Sequence, residues 1–267
     1  MTINELLDIM AKLRDPDHGC PWDRKQTFDT IVPHTLEEVY EVVDTIERKD
    51  YDHLANELGD LLFQVVFYAQ LGKEAGLFDF DEVVSEICNK LLTRHPHVFP
   101  DASLASFGSP ADITAEQVEG NWEAIKQQER DNKGQEPGSI LDDIPRALPA
   151  LTRARKIQKR AARSGFDWPD IDGVLDKVNE ENTELRGAMA SGEAEHIEEE
   201  LGDMFFSLVN LSRHLNIEPE KCLRKANEKF ESRFRRMEKV INSEDRDLAT
   251  MDLEEMENYW QQIKNSN

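Results

Sequence analysis

The sequence predicts an all-α protein made of two tandem copies of one helical-bundle module, and three observations support this. Apolar residues recur at i, i+3, i+4 and i+7 through most of the 267-residue chain, which is the spacing of one helix face. Alternating strand patterns are scarce, and Glu, Lys and Arg stand where strand formers would otherwise occur. The polar residues of the first half return in the same order in the second half, as in a repeat architecture.

The periodicity locates the first helices. Near the N-terminus, five apolar residues share one helix face and predict a core-facing helix: Ile3, Leu6, Leu7, Met10 and Leu13. Residues 36–46 continue the pattern as a second helix. The run "LLFQVVFYAQL" at 61–71 is apolar nearly all round, so we expect a third helix whose adjacent acids lie at or inside the bundle core.

Two segments interrupt the helical pattern. Residues 100–118 and 131–146 concentrate Pro, Gly, Ser and Asp, which end helices and form loops. We therefore predict a linker at 131–146, between an N-terminal module at 1–130 and a C-terminal module at 147–267.

Charge and cysteine usage restrict the function classes. A net charge of −23 repels the phosphate backbone of nucleic acids, so no nucleic-acid partner is expected. Three well-separated cysteines without C-x-x-C spacing fit reduced thiols in the cytoplasm better than disulfides. The apolar run at 61–71 is too short to span a bilayer, so no membrane association is predicted.

Four acids occur at matching positions in the two copies, in "LEEVYE...NELGD" and "NEENTE...EELGD". They are Glu38, Glu41, Glu57 and Asp60 in the first copy, and Glu181, Glu184, Glu200 and Asp203 in the second. In both copies the outer two acids are 22 residues apart and the inner two are 16 apart. Lys90 and Arg94 likewise correspond to Lys229 and Arg233, and "WEAIK" at 122–126 corresponds to "WQQIK" at 260–264.

The spacing of these acids predicts a metal site. Residues three apart share a helix face, and a short loop between two helices permits a hairpin that brings both acidic pairs together. Leaving a carboxylate unpaired next to an apolar helix costs several kcal/mol, so cations or protons are needed. Oxygen-only ligands suit Mg²⁺, with Mn²⁺ as a possible substitute. A solvated helix face is the alternative, and a di-iron bundle would require Glu-x-x-His motifs, which neither copy contains.

Several motifs together resemble the MazG family of nucleoside triphosphate pyrophosphohydrolases: the repeated E-E-x-x-E and E-L-G-D, with "GCPWDRKQT", "RHPHVF", "KIQKRAARSGFDW" and "KANEKFESRF". The resemblance covers nearly the whole chain. It implies an all-α pyrophosphohydrolase fold, Mg²⁺ dependence, homodimerisation, and hydrolysis of ribo- and deoxyribonucleoside triphosphates to monophosphate and pyrophosphate. It also implies that the C-terminal copy is catalytic, through Glu181, Glu184, Glu200 and Asp203.

Further residues are candidates for nucleotide binding. Lys229 and Arg233 share a helix face that can contact phosphates, and Lys177 lies one turn before Glu181, where the first copy has His34. Trp260 can stack on a base without discriminating between bases, which suits broad specificity. The resemblance implies that the residues just before Glu200, including His196 and Glu199, approach the nucleotide.

Alternatives remain open at this stage. The first copy keeps all four acids, so it is either a second site or a structural and dimerising unit. A helical regulatory or adaptor protein, in which divalent ions only hold the bundle together, is the alternative to an enzyme. Within the enzymes, a related dUTP or phosphoribosyl-ATP pyrophosphohydrolase would share the acids and differ in its base pocket.

Overall fold

The computed structural model describes residues 1–108, 113–114, 117–118, 121–122, 125 and 138–266. Every regular element in these ranges is a helix, which confirms the all-α prediction. The chain divides into two compact units, Met1–Gln135 and Glu136–Asn267. Residues 131–137 of the predicted linker lie outside the described residues, as does Lys126, the predicted counterpart of Lys264.

The described residues of the first unit form four long helices. They are α1 (Ile3–Leu13), α2 (Phe28–Glu47), α3 (Tyr51–Glu74) and α4 (Phe80–Arg94). Helices α2 and α3 pack together as a hairpin, and α1 and α4 both pack on α3. The hairpin turn includes Lys49 in the left-handed conformation, at φ 58°.

Between residues 138 and 266, the second unit has five long helices. They are α5 (Ala150–Arg163), α6 (Ile171–Ser191), α7 (Ala194–His214), α8 (Pro219–Ser243) and α9 (Leu253–Asn265). Helices α6 and α7 form the hairpin equivalent to α2 and α3, α5 packs on α7 and α8, and α9 packs on α8. Gly192 ends α6 at φ 77°, a left-handed position that glycine adopts without steric cost.

Side-chain caps fix where the site-bearing helices begin. At the start of α2, Thr27 and Thr30 form a capping box, each hydroxyl accepting from the other's backbone N–H. At the start of α6, the Asp170 carboxylate accepts from the backbone N–H groups of Asp172 and Gly173. Such caps each contribute about 0.5–2 kcal/mol, so they hold the first turn of each acidic helix in register.

The core of the first unit lies where α1, α2 and α3 meet. Its buried residues are Met10, Ile31, Val66, Phe67 and Leu71. The guanidinium of Arg14 lies over the Phe67 ring, 5.4 Å from its centroid. Arg14 also donates to the Glu74 carboxylate, with its Nη2 2.6 Å from Oε2, and this contact lowers the pKa of Glu74. A buried ring and a paired cation therefore close this end of the bundle.

The third helix is apolar nearly all round in sequence, but it is not buried on all sides in the single chain. Three residues of α3 at i, i+4 and i+7 are exposed: Leu58, Leu62 and Val65. The equivalent residues of α7 are exposed as well: Leu201, Phe205 and Leu208. We call these two sets the apolar faces. Neighbouring helices of the same unit cover one side of each of these two helices. The apolar residues on the other side are therefore exposed to solvent.

The core assignment of Phe67 gives the first prediction. We expect Phe67→Ala to lower the free energy of unfolding of the first unit by about 3–5 kcal/mol, because truncating a buried ring leaves a cavity. Urea denaturation followed by circular dichroism measures the loss. Lys73→Ala, on the same helix but exposed and outside the apolar face, is the control and should cost less than about 1 kcal/mol. Equal losses would contradict the assignment.

Candidate functional site

Each hairpin brings three acids together, forming what we call the acidic trios. In the second unit, ligand oxygens of Glu181, Glu184 and Glu200 lie within 4.8 Å of one another. The first unit repeats this arrangement with Glu38, Glu41 and Glu57. The i, i+3 pair comes from the first helix of each hairpin and the third acid from the second helix, as the spacing predicted.

The fourth predicted acid of each copy is not part of its trio. Asp203 lies on α7 and lines a cavity that Glu181 also lines. Asp60 accepts a hydrogen bond from Asn56 Nδ2 at 3.2 Å. Both are exposed, as Glu41 and Glu184 are, and Asp60 is close enough to Glu38 for its charge to raise the pKa of that carboxyl.

Burial differs sharply within the second trio. Glu181 is only 4% exposed, Glu200 is half-buried, and Glu184 is exposed. A buried carboxylate requires a partner, since an unpaired charge loses its hydration without compensation. Glu181 is therefore the most buried acid of the trio, while Glu184 faces solvent.

Lys177 supplies the partner of Glu181. Its Nζ lies 2.9 Å from Glu181 Oε1 and 2.8 Å from Glu180 Oε1. Hydrogen bonds to Glu180 and then Glu181 raise the pKa of Lys177 above its usual value. The ammonium therefore stays charged and neutralises the most buried acid of the trio.

The remaining acids crowd one another. Partial desolvation, followed by the charges of Glu180, Glu181 and Glu200, raises the pKa of Glu184, and Lys177 opposes this effect. Desolvation and the charges of Asp60 and Glu41 likewise raise the pKa of Glu38. Like charges held this close favour either protonation or a bound cation. Oxygen-only donors in this number fit a hard divalent cation such as Mg²⁺.

A cavity of about 550 Å³ adjoins the second trio. One side is formed by Lys177, Glu181 and Asp203. The remaining wall mixes aromatic and aliphatic side chains with amides and a hydroxyl: Leu141, Ile157, Ala161, Phe166, Trp168, Val174, Phe206, Gln158, Ser207 and Asn210, with Asp167 and Arg213. Sequence reasoning missed this cavity. The signal that points to it is Trp168 in the "GFDW" motif.

An ion-paired turn holds the aromatic wall. The Arg213 guanidinium donates to both carboxylate oxygens of Asp167, with Nη1 2.9 Å from Oδ2. This contact, together with His214, lowers the pKa of Asp167. Trp168 lies directly against the start of α6, where a Cβ on Gly173 would overlap the indole. The turn between α5 and α6 is therefore fixed over the cavity.

The other predicted nucleotide-binding residues lie elsewhere in the second unit. Glu199 is exposed on α7, and His196 Nε2 lies 3.1 Å from Glu200 Oε1. Lys229 and Arg233 lie on α8, and Trp260 on α9 packs 5.2 Å from Phe230, centroid to centroid. None of these five lines the cavity. Their roles in binding stay predictions.

Comparison with known proteins shows which protein family the chain is similar to. The model of the MazG nucleotide pyrophosphohydrolase domain matches residues 26–99 and 171–237. The chain is 52% identical over 264 residues to the nucleoside triphosphate pyrophosphohydrolase of Escherichia coli K12, covering 98% of this chain and 97% of that protein. It is 44% identical to the nucleoside triphosphate pyrophosphohydrolase/pyrophosphatase MazG of Thermotoga maritima, covering 97% and 94%. Both acidic trios fall within the matched ranges.

The pairing of Lys177 with Glu181 gives the second prediction. In EDTA, Lys177→Met should destabilise the second unit by about 1–3 kcal/mol, because a buried carboxylate loses its partner. Thermal melting measures this as a lower midpoint. Adding Glu181→Gln should restore most of the loss, since a neutral amide requires no counter-charge. Lys239→Met, an exposed lysine of α8, is the control. A wild-type midpoint for Lys177→Met would contradict the pairing.

Proposed function

The chain belongs to the MazG family of nucleotide pyrophosphohydrolases, and we propose that it uses Mg²⁺ at the second acidic trio to hydrolyse nucleoside triphosphates. The products are a nucleoside monophosphate and pyrophosphate. The observation behind this proposal is the convergence of Glu181, Glu184 and Glu200 on one site beside a cavity. Ribo- and deoxyribonucleotides with any common base belong to the proposed substrate range.

The class of enzyme follows from the family. The chain is a hydrolase that acts on phosphoric anhydrides, as the sequence predicted, and its two family matches confirm the tandem arrangement of modules. No described helix is long and apolar enough to cross a membrane. A cytoplasmic location and the lack of a nucleic-acid partner stay predictions.

The donor set supports Mg²⁺, with Mn²⁺ as a substitute. Carboxylates from two helices offer only oxygen ligands, and Asp203 lies close enough to line the same cavity as Glu181. Bound there, Mg²⁺ would hold the triphosphate and compensate charge on the leaving pyrophosphate. We infer that Lys177 then turns from Glu181 to a phosphate oxygen, since the metal replaces it as the partner of that carboxylate.

The second unit is the better candidate for catalysis. Where it has Lys177, the first unit has His34, which lies 3.9 Å from Glu37 and does not pair with the trio. Lys177 therefore adds an ammonium directly beside the trio of the second unit, and the first unit has no equivalent contact from His34. We therefore assign turnover to Glu181, Glu184, Glu200 and Asp203, and a structural or secondary role to the first trio.

A homodimer is the proposed assembly. The apolar faces of α3 and α7 expose Leu62 and Phe205 together with their neighbours one turn away. Exposed apolar patches of this kind mark interaction surfaces in proteins. A second copy of the chain is the occupant implied by the family resemblance, and it would bury these faces.

The third prediction compares the two trios. Glu184→Gln should reduce turnover by roughly 100-fold or more, because loss of a direct metal ligand exceeds the 10–100-fold cost of a supporting residue. Glu41→Gln, the matched variant of the first unit, should retain activity. Release of pyrophosphate from a panel of nucleoside triphosphates with Mg²⁺ measures both. Orthophosphate as the product would contradict the proposed reaction, and loss of activity only in Glu41→Gln would contradict the choice of unit.

The fourth prediction concerns assembly. Light scattering coupled to size-exclusion chromatography should give twice the mass of one chain. Leu62→Glu or Phe205→Glu should shift the mass toward the monomer, because a carboxylate would be desolvated within the interface. Met189→Glu, which alters an exposed apolar residue of α6, should not. A monomeric wild-type chain would contradict the proposal.

A further inference from the structure

We propose that Glu180 is a positioning residue, which keeps the Lys177 ammonium beside the site when Glu181 releases it to a divalent cation. This inference rests on the proposed function. It adds a residue outside the acidic trio and an exchange of ion-pair partners between neighbouring acids. Such an exchange leaves neither the ammonium nor the buried carboxylate without a partner of opposite charge.

One ammonium lies between two carboxylates of α6. Lys177 Nζ is 2.8 Å from Glu180 Oε1 and 2.9 Å from Glu181 Oε1. The spacings i, i+3 and i, i+4 place both acids one turn after the lysine, on the same side of the helix. Lys177 can therefore release one carboxylate and retain the other without any change in the backbone.

The two carboxylates differ in how strongly they require this ammonium. Glu181 is almost fully buried, so without a positive partner its charge would have neither hydration nor an ion pair. The Glu180 side chain is 55% exposed, so water solvates its charge whether or not Lys177 is bound. Without a metal, the ion pair that matters for stability is therefore the one with Glu181.

A divalent cation at the trio reverses this preference. Lys177 loses its place at Glu181 once the cation binds there, because the two positive charges repel each other. Glu180 lies outside the trio, so its carboxylate remains available to the ammonium. Lys177 also lines the cavity next to the trio. An ammonium that Glu180 retains therefore stays where it can contact a phosphate.

The exchange determines how readily the trio accepts a cation. Lys177 competes with the cation for Glu181, so only molecules in which the ammonium has left Glu181 are competent to bind it. Glu180 increases the competent fraction, because it stabilises the ammonium after that release. Without Glu180, the ammonium pairs with Glu181 alone, and the apparent dissociation constant of the cation rises.

The first unit differs at these positions. His34 and Glu37 stand where the second unit has Lys177 and Glu180, and His34 Nδ1 lies 3.9 Å from Glu37 Oε2. Glu38, the first acid of that trio, is only half-buried. A carboxylate that keeps part of its hydration requires less compensation. We therefore expect the exchange in the second unit alone.

Binding of Mn²⁺ alone, without nucleotide, measures the exchange. The free-ion signal in electron paramagnetic resonance gives the dissociation constant, and every chain carries Glu41→Gln so that binding reports the second trio. We expect Glu180→Gln to raise this constant roughly tenfold. In chains that also carry Lys177→Met, the same change should raise it about twofold or less, because no ammonium competes. Asp176→Asn removes the charge of another exposed acid of α6 and is the control, with an equally small effect.

An additive result would overturn the proposal. If Glu180→Gln raises the constant by the same factor with and without Lys177, its charge acts on the cation directly and no exchange takes place. No effect in either background, or no Mn²⁺ binding at all, would overturn it as well. Melting curves show whether each variant is folded. Should Lys177→Met be unfolded, Lys177→Gln replaces it, because the amide can still donate to Glu181.

Turnover separates a positioning role of Glu180 from a catalytic one. In Glu180→Gln, the Mg²⁺ concentration that gives half-maximal pyrophosphate release from ATP should rise roughly tenfold. At saturating Mg²⁺, kcat should stay within about threefold of the wild type, because the chemical step does not use this carboxylate. A fall in kcat of about 100-fold or more would instead indicate that Glu180 activates the attacking water, and would overturn the positioning role.

These outcomes also distinguish this inference from the proposed function. If the wild type releases pyrophosphate but the effects of the two substitutions on Mn²⁺ binding are additive, the exchange is wrong and the enzyme assignment stands. If the wild type hydrolyses no nucleoside triphosphate, the proposed function itself fails.

Discussion

The burial of Glu181 is the constraint on which the second unit depends. A carboxylate that is almost fully removed from water must have a positive partner at close range, and Lys177 lies 2.9 Å away. The two residues stand one turn apart on α6, so the helix itself brings the ammonium to the carboxylate. The burial of Glu181 also explains why the site can accept a divalent cation: the protein already holds a negative charge where hydration no longer stabilises it.

The two units show how one acidic framework can support different interiors. Both hairpins position three carboxylates within 4.8 Å of one another, so the backbone geometry is shared. The difference lies one to two turns further along the apolar helix, where Phe67 is replaced by Asn210. In the first unit the ring contributes to a closed core with Arg14 above it. In the second, Asn210 accepts hydrogen bonds from Arg213 and leaves space beside Glu181. A repeat can therefore preserve its metal geometry while the interior beside the acids differs between its copies.

Sequence reasoning was most successful where spacing alone determines structure. The i, i+3 pairs, the duplicated interval between acids and the helical periodicity predicted the hairpins and a group of acids in each copy, although as four acids where the structure groups three. Composition alone does not determine burial, which depends on neighbouring helices: the stretch from Leu61 to Leu71 is apolar, yet α3 exposes Leu62 and Val65 because only one of its sides is covered. The cavity was missed for a related reason. Gln158, Trp168 and Asn210 come from α5, a turn and α7, and no local pattern connects them.

The net negative charge of the chain opposes the approach of anionic substrates, and α5 provides positive charge locally. The chain carries −23 overall, so a triphosphate approaching most of its surface is repelled. Helix α5 contains Arg153, Arg155, Lys156, Lys159, Arg160 and Arg163 and no acid. The same helix contributes Gln158 to the cavity, so its positive field is centred beside the mouth of the site. The electrostatic potential of these side chains acts over a longer range than a direct contact. The helix can therefore attract the substrate even where a side chain binds another group. Arg160, for example, donates to the backbone carbonyls of Ile140 and Asp142. Attraction of the triphosphate by α5 and neutralisation of the carboxylates by a cation at the trio are thus separate requirements. The second unit has residues for both.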